Sequence, residues 1–176
     1  MGRETEARAR LAREALAHSD ALYNFAFHLT RNPAEAEDLV QETLARALAA
    51  ADPQSVGASL KAWLFRTLRN AFIDLYRRQR RVEGGLETVG DERQAGPGSM
   101  LDGAVEERQV HEVVGHELER ALMSLGEEAR MVVLLDVEGF SEAEIAELMG
   151  CAPGTVKSRL FRARAALRER IRDRGE

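Results

Sequence analysis

The sequence predicts an all-α chain: two small helical domains joined by a flexible acidic linker, the C-terminal one containing a helix-turn-helix. Three observations predict it. Apolar residues recur at three- and four-residue spacing over most of residues 4–81 and again from about Val110, the periodicity of helices buried on one face. Between these stretches, Val82 to Gln109 loses that periodicity and carries Gly84, Gly85, Gly90, Gly96, Gly98 and Gly103 with one Pro, the composition of a disordered-type linker. Within the second stretch, Ser141 to Ile171 strings together a helix start, a stop and a restart.

Residues 4–30 read as one helix, clearest where Leu22, Phe25, Ala26 and Leu29 form an apolar stripe. Arg31-Asn32-Pro33 interrupts it. Asn32 can cap the next helix, Pro33 suits a first turn, and Glu35 has capping-box spacing. That helix, about 33–51, places Leu39, Val40, Thr43, Leu44, Ala47 and Leu48 on one side and Asp38, Gln41 and Glu42 on the other. On spacing alone the polar trio is a solvated face.

Ala51–Ser59 is a loop by its Pro, Gly and Ser content. A helix from about Leu60 to Arg81 follows, with Leu60, Leu64, Leu68, Ala71, Phe72 and Leu75 inward and Trp63, Arg66, Asn70, Asp74 and Arg77 opposite. A Trp on a cationic face suits stacking against unpaired bases, since aromatic and Arg side chains offer platforms for single strands. It equally suits packing beneath the 51–59 loop. The helix closes on Arg77, Arg78, Arg80 and Arg81, a good phosphate-contacting end.

In the C-terminal half, Leu118, Leu122 and Leu125 belong to a short helix, and Met131, Val132, Leu134, Leu135 and Val137 to a strongly apolar one. Ser141 and Glu144 then form a capping box, Ile145, Leu148 and Met149 share a face, and Gly150 stops the helix. Pro153 restarts the chain as a helix whose stripe is Val156, Leu160, Ala163, Leu167 and Ile171. Thr155, Lys157, Ser158, Arg159, Arg162 and Arg164 turn outward. A capped helix, a Gly-containing turn and a one-sided cationic helix make a DNA-binding helix-turn-helix. Thr155, Lys157, Ser158 and Arg159 occupy the end that enters the major groove, with Arg159 the expected guanine reader and Arg164 an expected phosphate clamp.

The net charge of −5 conceals the cationic patches. Residues 60–81 carry +6 and residues 151–176 carry +5, so the remainder sums to −16. Affinity for DNA follows local phosphate neutralisation, while the acidic remainder should weaken binding of the free chain to bulk DNA. Cys151, the single cysteine, excludes an internal disulfide and reads as filler at the turn. His111 and His116 in HEVVGH stand five apart, about 140° around a helix, so they cannot share a metal as an i, i+4 pair does. No cofactor is expected. No apolar run approaches the ~18 residues a membrane helix needs, and the charged N-terminus lacks a signal peptide's pattern, so a cytoplasmic protein without membrane insertion is expected.

These stretches also carry a family resemblance. GFSEAEIAELMGCAPGTVKSRLFRARAALRE resembles region 4 of bacterial sigma factors, and GTVKSRLFRAR most resembles the extracytoplasmic-function group. LTRNPAEAEDLVQETLARAL followed by LKAWLFRTLRNAFIDLYRRQRR resembles sigma region 2. Together the resemblance covers about 15–82 and 116–170, with 83–115 as linker and regions 1.1 and 3 lacking. It implies a dissociable specificity subunit of RNA polymerase rather than an enzyme, controlled by an anti-sigma factor. Asp38, Gln41, Glu42 and Arg46 would contact the polymerase β′ clamp helices, and the second domain would meet the β flap. Trp63, Arg66, Asn70, Asp74, the terminal arginines and the 51–59 loop would serve the minus-10 element, and the recognition helix the minus-35 element. The linker would thread towards the RNA exit channel. The segment TRNPAEAEDLVQET leans towards the redox-responsive subgroup, whose anti-sigma partners bind zinc. The rival reading is a stand-alone helix-turn-helix regulator that binds operator DNA without polymerase. It would need a sensor domain, and residues 1–82 show no strand alternation. An enzyme would need a phosphate loop or nucleophile elbow, and neither is present.

Overall fold

The computed structural model describes residues 2–49, 59–82 and 115–172, all of its regular structure helical. The chain divides into two compact units, Met1–Ala95 and Gly96–Glu176. Residues 83–114 of the expected linker, residues 51–58 of the loop, and His111 lie outside the described residues.

The first unit contains α1 (Gly2–Leu16), α2 (Ser19–Thr30), α3 (Pro33–Ala49) and α4 (Leu60–Val82). The single helix expected over 4–30 is broken at Ala17–His18. There the His18 amide donates to the Ala15 carbonyl at 3.1 Å, a tight three-residue turn, and the Ser19 hydroxyl donates to the Leu16 carbonyl at 2.8 Å. The break lets α1 turn Leu11 and Ala15 into the core and pack against α3 and α4. No Gly or Pro marks it, so periodicity could not reveal it.

At the next corner Thr30 is buried, and its hydroxyl donates to the Ala26 carbonyl at 3.0 Å. Arg31 takes a left-handed conformation (φ 57°) past the end of α2, with its guanidinium 5.3 Å from the Phe27 ring centre. Asn32 Oδ1 accepts from the amides of Ala34 (3.0 Å) and Glu35 (3.3 Å), the expected cap. The reciprocal half of the box is replaced. The Asn32 amide donates to Thr30 Oγ1 at 3.2 Å, and the Glu35 carboxylate accepts from Gln79 of α4 at 3.2 Å.

The core of this unit lies where α2, α3 and α4 meet. Leu22, Ala26, Ala36, Ala47, Leu64 and Leu68 have no exposed surface, and Phe25 meets Phe65 with ring centres 5.2 Å apart and tilted by 59°. Phe65 widens the buried face of α4 beyond the expected stripe, whose ends Leu60 and Leu75 are only half-buried. Thr43 is fully buried and satisfied by donating to the Leu39 carbonyl at 2.7 Å. Leu48, expected inside, is exposed in the last turn of α3.

The second unit contains α5 (residues 115–123), α6 (Glu127–Val137), α7 (Glu142–Met149) and α8 (Pro153–Arg172). Arg130 of α6 closes the end of α5 by donating to the carbonyls of Leu122 (3.2 Å), Met123 (3.1 Å) and Leu125 (2.9 Å), which the helix leaves without intrahelical partners. The capping box forms as expected: Ser141 Oγ accepts from the Glu144 amide at 3.3 Å, and Glu144 Oε2 accepts from the Ser141 amide at 2.8 Å. Gly150 (φ 65°) stops α7, and the Cys151 amide reaches back to the Ala146 carbonyl at 3.0 Å. This left-handed stop is one that glycine adopts without a Cβ penalty. Val132, Ile145 and Val156 are fully buried where α6, α7 and α8 converge, and Met131, Leu135 and Leu160 surround them. Val137 and Ile171, expected inside, are exposed because they lie at the ends of their helices, outside the packed centre, and Leu118 of α5 is exposed as well.

Candidate nucleic-acid interface

The buried stripe of α8 determines where its cations point. Taking about 100° per residue, Val156, Leu160, Ala163 and Leu167 occupy a sector roughly 60° wide. Ser158, Phe161, Arg162 and Ala165 fall on the far side and Lys157 at its margin, and all are exposed. Thr155 lies within about 20° of Arg162 on that wheel, yet in the first turn it is half-buried.

Of the outward set the sequence suggested, Arg164 is exposed and Arg159 half-buried, and neither stands at the centre of that face. They flank the buried stripe, one on each side, and each meets a carboxylate of α6. Arg159 donates to Glu128, and its Nη1 lies 3.8 Å from Cys151 Sγ, so its side chain is only 22% exposed. Arg164 donates to Asp136 Oδ2 at 2.6 Å. An arginine held by a carboxylate of its own unit has part of its donor set and its orientation committed before any DNA arrives. Of the six outward residues the sequence singled out, the cations with no carboxylate partner among the described residues are Lys157 and Arg162; Arg162 Nε donates to the Ser158 carbonyl at 3.3 Å, one turn earlier on its own helix.

Sequence reasoning missed Phe161. At 76% exposure it is an aromatic in the middle of the cationic face, where an apolar edge can meet a thymine methyl group. Its position outside the apolar stripe of α8 was the available signal.

On α4, Arg66, Asn70, Asp74 and Arg77 are exposed along one face and Trp63 at its head is half-buried. Arg78 Nε donates to the Asp74 carbonyl at 3.3 Å. Gln79 ties the basic end of α4 to α3 through Glu35. The side chains of Arg80 and Arg81, like the loop over 51–58, lie outside the described residues. On α3, Asp38, Gln41, Glu42 and Arg46 are all exposed, and Arg46 is paired with Glu42 at 2.6 Å. The solvated face thus carries an internal ion pair beside exposed Asp38 and Gln41. Among the described residues there is no cluster of side chains able to hold a metal ion and no helix long and apolar enough to cross a membrane.

Comparison with known proteins accounts for both halves. The family Sigma-70 region 2 matches residues 15–82, and Sigma-70 region 4 matches residues 115–167. The chain is similar to the ECF RNA polymerase sigma factor EcfG of Rhodopseudomonas palustris, 39% identical over 156 residues, covering 88% of this chain and 81% of the relative. It is also similar to the ECF RNA polymerase sigma factor SigL of Mycobacterium tuberculosis, 37% identical over 164 residues, covering 90% and 86%. Among solved structures it resembles the sigma factor RpoE of Bartonella quintana in complex with the anti-sigma factor NepR, with a TM-score of 0.67, 34% identity, and coverage of 91% of this chain and 95% of that one.

Proposed function

Because this chain belongs to the extracytoplasmic-function group of the sigma-70 family, it directs RNA polymerase to promoters and is not itself an enzyme, and we propose that its two units divide the promoter between them. The unit containing α8 reads the minus-35 element as duplex. The unit containing α4 engages the minus-10 element as it melts, and α3 holds the polymerase. The boundaries we assign to these roles are residues 15–82 and 116–170, with 83–115 as the connection.

The observation that carries this reading is the outer face of α8. Packed on the capped and glycine-stopped α7 through buried Val156, Leu160 and Ala163, α8 presents Lys157, Ser158, Phe161 and Arg162 together. That set combines phosphate charge, hydrogen-bond donors for guanine and an apolar edge for thymine. Exposed Asn70, with Arg66 and Trp63 beside it, supports a base-holding role for α4, since unstacked bases need an aromatic or guanidinium surface and a hydrogen-bonding edge. Exposed Asp38, Gln41 and Glu42 support docking of α3 on a cationic partner, and Arg46 joins them once its pair with Glu42 opens. We read the chain as cytoplasmic, where the polymerase works, and as held by an anti-sigma factor when idle, in line with the NepR-bound relative.

Fluorescence anisotropy on a labelled promoter fragment tests the central dependence. The chain alone should bind weakly and without sequence preference at physiological salt, because −16 of charge lies outside its two cationic stretches. Adding core polymerase should create specific binding. Tight, specific binding by the chain alone would instead make it a stand-alone regulator.

A further inference from the structure

The pairs Glu128–Arg159 and Asp136–Arg164 both cross from α6 to α8, and their placement is informative. Glu128 sits in the first turn of α6 and Asp136 in its last, so the acids stand about 12 Å apart along that helix. The arginines stand about 7.5 Å apart along α8 and leave it on opposite flanks, each roughly 40° beyond the edge of the buried stripe. Two contacts separated in this way oppose both rotation of α8 about its axis and sliding along α6. The apolar contacts at Val156, Leu160 and Ala163 cannot do this alone, because burial is non-directional and two of the three side chains are small.

We propose that Glu128 and Asp136 are positioning residues for promoter reading. Acting through Arg159 and Arg164, they set the rotation of α8 and thereby fix which minus-35 base pairs meet Lys157, Ser158, Phe161 and Arg162. This inference rests on the reading of α8 as the duplex-reading helix. Stability alone is a weak explanation for the pairs, since each has one partner open to solvent, Glu128 at 65% and Arg164 at 51%, and such pairs contribute little to it. Direction is the better one. Arg159 also touches Cys151 in the turn, so a single guanidinium connects α6, the turn and α8.

The test uses the full chain with core polymerase and run-off transcription across a panel of single-base-pair minus-35 substitutions. Glu128→Gln, Arg159→Gln and the double variant form one cycle; Asp136→Asn, Arg164→Gln and their double form a second on the opposite flank. Glu→Gln and Asp→Asn keep side-chain volume, and circular dichroism verifies the helices. Glu128→Gln and Arg159→Gln should each reduce use of the cognate element by about threefold or more and flatten the same positions of the base profile, with the double no worse than either single. Loss of discrimination at one base pair in Arg159→Gln alone, with the Glu128→Gln profile intact, would overturn the proposal by making Arg159 a direct reader. A uniform gain on every promoter in Glu128→Gln would also overturn it, by making Glu128 a simple repellent of phosphate. If Arg159→Gln unfolds the unit, the second cycle decides by the same criteria. Arg162→Ala serves as the control on the underlying reading. If it leaves minus-35 dependence untouched, α8 is not the reader; if it abolishes that dependence while the cycles show no coupling, only the positioning role fails.

Discussion

The helices α4 and α8 are both long, cationic and half-buried, yet their charges are held differently. On α8, packing against α6 pairs Arg159 and Arg164 across the interface, while Arg162 and the later Arg168, Arg170 and Arg172 are left exposed. On α4, Arg66 and Arg77 stand exposed and, among the described residues, neither has an ion-pair partner. The helix is instead tied at its basic end by the uncharged Gln79 amide donating to the Glu35 carboxylate. A helix that is to read a fixed duplex gains from being held at one rotation, which pairs on its two flanks supply. One that must catch a strand as it opens gains from cations able to follow it. Composition alone does not distinguish these cases, since the two stretches carry nearly equal net charge.

The largest effects should come from the buried faces. Phe65→Ala on α4 removes the ring packed on Phe25 and should cost about 3–5 kcal/mol, and Leu160→Ala on α8 about 2–5 kcal/mol. Denaturant titration followed by circular dichroism, with limited proteolysis to assign the loss to one unit, measures both. Loss of both units from either substitution would show that the two helices cannot be compared as independent elements.

Next is the outward face of α8. Arg162→Ala should remove about 1–3 kcal/mol of discrimination at one minus-35 base pair. Phe161→Ala should blunt the preference for thymine over uracil at a single position, because the two bases differ by the methyl group alone. Transcription from templates carrying uracil at individual positions measures it, and an unchanged preference would remove Phe161 from the reading face.

Smaller again is the cap. Ser141→Ala should cost about 1 kcal/mol of stability in the second unit, since Ser141 holds the Glu144 amide, while leaving the base profile of transcription unchanged. Thermal unfolding reads the first and the promoter panel the second. The smallest effect is at the basic end of α4. Arg77→Ala should weaken DNA binding by the polymerase complex equally on every sequence and flatten its salt dependence by about one unit. A base-specific change would instead make this end a reader.

Much of this architecture was legible because local chemistry declared it. Ser141, Glu144 and Gly150 occupy positions where few other residues serve, so both ends of α7 could be placed from sequence. The exposed residues of α3 and, apart from half-buried Trp63, those of α4 followed from periodicity in the same way. What sequence concealed depends on contacts between distant segments. Glu128 and Arg159 lie 31 positions apart and Asp136 and Arg164 28 apart, so nothing local marked those arginines as engaged. Arg130 looks like any surface arginine until the end of α5 is placed beside it. The break at Ala17–His18 lacks Gly and Pro and depends on where α1 can bury Leu11. Helix ends misled for the opposite reason: Leu48, Val137 and Ile171 continue an apolar period beyond the point where any neighbour covers it.

The division of labour between the two helices is tested most directly by run-off transcription with core polymerase on paired templates, one fully duplex and one pre-melted across the minus-10 element. Asn70→Ala should reduce initiation on the duplex template by about 1–3 kcal/mol and recover most of that loss on the pre-melted one, because the cost of opening the strand has been removed. Arg162→Ala should be defective on both, because its contact is made on duplex DNA upstream of the bubble. The same degree of rescue for the two variants, or rescue of Arg162→Ala alone, would contradict the assignment of strand capture to α4 and duplex reading to α8.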